Sequence, residues 1–130
     1  MKNSFDSVEY NKIFNFHLAI PMRLLSRESS TLEFKESFNW NSKDRYAKSM
    51  ASFANNRGGY IIFGVTDNPK VLVGLKNNNF ESFDEARITE YLNNTFSPEL
   101  NFEKSNVQIK GANIGIIYVY PSTKKPHNLY

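Results

Sequence analysis

Six residues, Tyr60-Ile61-Ile62-Phe63-Gly64-Val65, form an almost wholly apolar run bounded by turn residues. A strand without a polar face must be covered on both sides, so the run predicts a strand in the middle of a sheet. Asn56-Arg57-Gly58-Gly59 precedes it, and glycine can take the left-handed conformation that closes a helix. Thr66-Asp67-Asn68-Pro69 follows as a turn, which sets Asp67 at the mouth of the central strand.

The surrounding elements follow from periodicity. Ser7 to Ile20 carries Tyr10, Ile13, Phe14 and Leu18 at helical spacings, which predicts an N-terminal helix stopped by Pro21. His17 lies beside that stripe as a packing or surface histidine. Leu32 to Phe38 predicts the first strand. Ser42 is a suitable N-cap, with Asp44 in the first turn, for a helix whose inner stripe is Tyr46, Ala47, Met50, Ala51 and Ala54. Arg45, Lys48, Ser52 and Asn55 fall on its polar side. Val71 to Gly74 predicts a short partner strand. Ser82 and Glu85 have capping-box spacing ahead of a helix with Ile88, Tyr91, Leu92, Thr95 and Phe96 inward, closed by Ser97-Pro98. Phe102–Ile109 and Ile114–Tyr120 form a hairpin around Gly111-Ala112-Asn113. The order β-α-β-β-α-β-β behind an N-terminal helix predicts an α+β fold, a mixed β-sheet with helices packed on it.

At 130 residues the chain fits one domain that buries roughly two-thirds of its unfolded surface. There is no cysteine, which excludes disulfides and zinc–thiolate sites. No apolar run approaches the ~20 residues that cross a bilayer, and the first residues lack a signal-peptide pattern. The expectation is a cytoplasmic protein with no membrane partner. A net charge of +3 and a pI near 9.1 permit a polyanionic partner without requiring one.

The residues that could carry chemistry begin just before the first strand. If Leu32 to Lys35 is extended, Leu32 and Phe34 face the core while Glu33 and Lys35 share the other face. Glu28, Glu33 and Asp67 could then offer oxygen ligands to magnesium or manganese, with Lys35 as phosphate or water partner. That would be a phosphodiester-cleaving site. The same residues also suit a plain surface: a solvated Glu-x-Lys pair, a turn-capping Glu28 and an Asx-turn at Asp67. Asn55 to Gly59 could edge a ligand site or simply cap a helix; it lacks the P-loop pattern. Arg45, Lys48 and Arg57, with Lys124, Lys125 and His127 in the tail, could contact phosphates without reading sequence, or could form a solvated surface.

Three blocks resemble a known family. They are Glu28-Ser29-Ser30-Thr31-Leu32-Glu33-Phe34-Lys35-Glu36-Ser37, then Ala51 through Asp67, then Pro121-Ser122 with Lys125-Pro126-His127. In order and spacing they resemble the schlafen-type Alba-like (Schlafen AlbA_2) domain, a DNA-binding domain found at the front of bacterial transcriptional regulators. The resemblance spans residues 24–130, leaving 1–23 as an N-terminal helical extension, and the family's domain runs on into a further strand. It implies an α+β fold and nucleic-acid binding, commonly inside a longer protein. In the schlafen branch it also implies metal-dependent RNA cleavage by three carboxylates, which match Glu28, Glu33 and Asp67 here. Paired domains form a clamp in that branch, so a homodimer could supply the second half.

The leading expectation is a nucleic-acid-binding domain, a DNA-binding regulator, with Arg45, Lys48, Arg57, Lys124 and Lys125 on phosphates. The alternatives are a divalent-metal nuclease using Glu28, Glu33, Asp67 and Lys35, with magnesium or manganese as cofactor, and a non-catalytic oligomerisation module.

Overall fold

In the computed structural model, which describes residues 11–97, 99–123 and 128–129, the apolar run becomes a strand without an exposed residue. Strand β1 (Leu32–Lys35) pairs in parallel with β2 (Gly59–Phe63). Helix α1 (Lys43–Ala54) makes the crossover between them. Two short segments follow, α2 (Asn79–Ser82) and α3 (Glu85–Thr95), then the two-residue β3 (Phe96–Ser97). A hairpin of β4 (Phe102–Ile109) and β5 (Ala112–Val119) completes the main sheet, in the order β1-β2-β5-β4. β6 (Asn128–Leu129) pairs with β3 in a separate two-stranded sheet. The fold is α+β, as the periodicity predicts.

The sheet divides the core in two. Ile61, Phe63, Ile117 and Val119 face the helices, where they meet Phe38, Met50, Phe53, Phe80 and Leu92. Phe34, Tyr60, Ile62, Ile114 and Ile116 face the other side, covered by Ile13, Phe14 and Leu24. Residues ahead of the first strand therefore belong to the body of the fold. Two glycines on the helix face allow close packing. A Cβ at Gly59 would lie 2.6 Å from the Phe53 ring, and one at Gly115 would lie 2.6 Å from the Phe80 ring.

Several local expectations change: β1 ends at Lys35 rather than Phe38, and Ser42 precedes α1 without a side-chain cap hydrogen bond. The N-terminal helix stops at Ile13 rather than Ile20, its earlier part lying outside the described residues. Beyond it the chain doubles back: Phe16 bridges Leu24, and the His17 N–H donates to the Arg23 carbonyl at 2.8 Å. That pairing takes the backbone groups a longer helix would need. Val71 to Gly74 makes single bridges, Arg23 to Val71 and Val65 to Leu72, rather than a strand. The cap of α3 is Asp84, whose carboxylate accepts from the Ala86 N–H at 2.9 Å; the Ser82 hydroxyl instead donates to the Asn78 carbonyl. The hairpin turns at Lys110 and Gly111, both at positive φ, one residue earlier than the glycine-alanine-asparagine signal suggests.

The end of α1 follows expectation. Gly58 sits at φ 82 and donates to the Phe53 carbonyl at 2.8 Å. No helix among the described residues is long and apolar enough to cross a membrane.

Candidate nucleic-acid interface

Strand β1 is an edge of the sheet, and its side chains alternate as predicted. Phe34 is buried against the N-terminal side, while Glu33 and Lys35 stand on the helix face beside α1. Both Glu33 oxygens accept from the Ser49 hydroxyl, at 3.0 and 2.9 Å, and Oε2 lies 3.7 Å from Lys35 Nζ. Ser49 is there because α1 presents it one turn after Arg45, on the flank that overhangs the edge. The Tyr46 phenol is on the same helix. Burial raises its pKa, while the Asn39 N–H donated to its oxygen pulls it back.

Glu28 is placed differently. Its Oε2 accepts the Phe34 N–H at 3.0 Å, so the carboxylate lies along the outer backbone of β1. Ser29 and Leu32 also bond to each other's backbone. Asp67 lies in the turn after β2, its side chain 87% exposed, and forms an ion pair with Lys70 at 2.6 Å. The hydrogen bond and charge of Lys70 hold its carboxyl below the usual range, with a weaker pull from Lys35. The Lys70 ammonium also lies 5.9 Å from the centre of the Phe34 ring.

The expected metal site is therefore not assembled. Among the described residues no three carboxylate, imidazole or thiolate groups gather closely enough to hold an ion. Glu28, Glu33 and Asp67 turn instead to a backbone N–H, a serine with a lysine, and another lysine. This donor arrangement does not fit magnesium or manganese shared by all three.

The cations do come together, though not all those expected. Lys35 and Arg45 line one hollow of about 260 Å³ with Ser37, Asn39 and Ser42, and with one acid, Glu36. Arg23, Arg27 and Lys70 line a second, of about 470 Å³, with His17, Ser26 and one acid, Glu28. Lys35 ends β1, and Glu28 on the second wall accepts the Phe34 N–H, so both hollows border β1. The ion pairs among the described residues are Lys35–Glu33 and Lys70–Asp67, so Arg23, Arg27 and Arg45 have no carboxylate partner there. Lys48 is exposed on the solvent side of α1. Arg57 is exposed beyond the far end of that 12-residue helix, roughly 18 Å from Arg45 by helical rise. Lys124, Lys125 and His127 lie outside the described residues.

Arg23, Arg27 and Lys70 were not among the residues singled out from sequence. Their signal was weak: two arginines flanking the segment before β1, and a lysine three residues after Asp67. Asn55 to Gly59 serves as a helix end, with Asn55 as its cap and Gly58 supplying the turn.

The family described as Schlafen, AlbA_2 matches residues 28–130. An uncharacterized ATP-binding protein of Ureaplasma parvum serovar 3, UU034, is 48% identical over 87 residues, which is 67% of this chain and 24% of that protein. The chain thus spans about a quarter of the length of that curated relative. Among solved structures, the DIP2311 protein from Corynebacterium diphtheriae superposes with a TM-score of 0.54 at 18% identity, over 83% of this chain and 23% of that one. The N-terminal domain of a RecG-related protein from Nitrosomonas europaea gives a TM-score of 0.45 at 20% identity, over 97% of this chain and 85% of that one.

Proposed function

Because the chain belongs to the Schlafen, AlbA_2 family, we propose that it is a nucleic-acid-binding module that grips the phosphodiester backbone along the β1 edge. The observation that supports this is the pair of cation-lined hollows at β1, one with Lys35 and Arg45, the other with Arg23, Arg27 and Lys70. Three arginines there lack a carboxylate partner among the described residues, and a guanidinium presents a fork of donors suited to phosphate. Serine and asparagine side chains between them can add neutral donors. Contacts of this kind position a nucleic acid without reading its bases.

The finer parts of the proposal are that DNA is the polyanion, that the module serves regulation, and that two copies act together. Fluorescence anisotropy of labelled DNA and RNA in a salt series tests the binding. Three to five phosphate contacts give a log–log salt slope of roughly −2 to −4.5, using about −0.7 per contact on single strands and −0.9 on duplex. Absence of binding to DNA and RNA at low salt would refute the proposal. Light scattering with and without DNA measures the number of copies.

A further inference from the structure

Ser37 and Asn39 line not only the Lys35–Arg45 hollow but also a larger one, of about 710 Å³, on the α3 side. Its walls differ in chemistry. Trp40 and Phe83 are half-buried, with ring centres 4.9 Å apart. The Arg87 guanidinium lies 4.7 Å above the Phe83 ring. Asn39, Asn77 and Asn79 bring side-chain amides. Asn39 and Asn77 each spend a carbonyl oxygen on a nearby backbone N–H, at 3.0 Å in both cases, which fixes the amides in place. Asp84 is also on the wall, with an oxygen engaged by the Ala86 N–H.

We propose that this hollow receives one unstacked base of a single-stranded nucleic acid whose neighbouring phosphate lies on Lys35 and Arg45. The inference rests on the phosphate-gripping reading above and narrows its ligand. Unpaired bases stack on aromatic rings or guanidinium planes and hydrogen-bond through their edges. Trp40, Phe83 and Arg87 offer the first kind of contact, and the three asparagines offer both donors and acceptors for the second. A base held in a duplex keeps its faces stacked on its neighbours and cannot enter. Ser37 and Asn39 line both, so the aromatic hollow adjoins the cationic one within reach of a single strand.

Trp40 is the sole tryptophan in the chain and reports directly on the hollow. The test titrates the protein with a single-stranded decanucleotide, the matching duplex and free nucleoside triphosphates. It follows Trp40 emission and its shielding from acrylamide, together with the anisotropy of a labelled strand. The single strand is expected to quench and shield Trp40 saturably, and the duplex is not. Trp40→Ala and Arg87→Ala are expected to weaken single-strand binding, the former by roughly 5- to 150-fold if one stacked base is lost. Trp40→Phe keeps a ring and is expected to retain most of the affinity. Should Trp40→Ala fail to fold by circular dichroism, the wild-type emission and exposed Arg87→Ala decide the matter. Single-strand binding with unshielded Trp40, and affinity in Trp40→Ala and Arg87→Ala within about twofold of wild type, well below the span of a lost stack, would overturn the base site and leave phosphate gripping intact. Free nucleotides that shield Trp40 as tightly as the decanucleotide would overturn the strand as its occupant. No binding of any nucleic acid would overturn both readings.

Discussion

Replacing Glu33 by glutamine separates an anion-gripping edge from a carboxylate-dependent one. Glutamine keeps the shape of the side chain and an oxygen for the Ser49 hydroxyl, so the fold should tolerate it. What changes is a negative charge 3.7 Å from Lys35 Nζ. A phosphate accepting from that ammonium at about 2.8 Å would lie roughly 6 Å from the Glu33 carboxylate. The Coulomb repulsion at that separation is about 0.7 kcal/mol in bulk water and about 2.8 kcal/mol at an effective dielectric of about 20. Screening over a Debye length of about 8 Å halves both, leaving about 0.3–1.3 kcal/mol. Glu33→Gln should therefore bind a labelled strand roughly two- to ninefold more tightly at physiological ionic strength, with the gain shrinking as salt rises. Weaker binding, or no change at any salt concentration, would refute the placement of phosphate at Lys35. Anisotropy titrations of wild type and variant at matched salt concentrations measure the difference.

Three further outcomes follow from the same geometry. Arg45→Ala should reduce the salt slope by about 0.7–0.9 while Arg57→Ala, at the other end of α1, leaves it unchanged; equal effects would place the nucleic acid elsewhere. Gly115→Ala should destabilise the fold by about 1–3 kcal/mol in urea unfolding, because the Phe80 ring it would strike is itself fully buried and has little room to retreat. The Tyr120 phenol is pushed up to about 12, chiefly by the neighbouring Glu103 carboxylate. A raised phenol pKa contributes stability that is complete below the ordinary value of 10.0 and is lost as pH climbs through about 12. Alkaline titration of tyrosinate absorbance should lose one late-ionising group in Tyr120→Phe, with those of Tyr46 and Tyr91, also raised, remaining.

The central layer was legible in the sequence because β2 has no polar side and admits no other placement. The pairing of β1 with β2 was also within reach, since Glu33 and Lys35 alternate with Leu32 and Phe34. What sequence did not reveal was which groups satisfy one another across the fold. Helical spacing at Ile13 and Phe14 says nothing of the bridge from Phe16 to Leu24 that ends the helix. Ser82 and Glu85 have the right separation for a cap, yet Asp84 is the residue that meets the helix's first N–H groups. At the site, Glu28, Glu33 and Asp67 form a set in sequence because the expected strands and the family resemblance bring three acids towards one face. Each is drawn away by a partner that spacing alone cannot show: the Phe34 N–H, Ser49 with Lys35, and Lys70. Trp40 lies in the short turn before α1, and only the Phe83 ring beside it, itself covered by Arg87, gives it a surface.

The outer margin of β1 has one more consequence. A bare strand margin is an invitation for another peptide to add itself, sheet to sheet. Here the Glu28 carboxylate occupies the amide of Phe34, and Ser29 closes off Leu32, across a margin only four residues long. At this margin a second peptide finds little free backbone on which to extend the sheet.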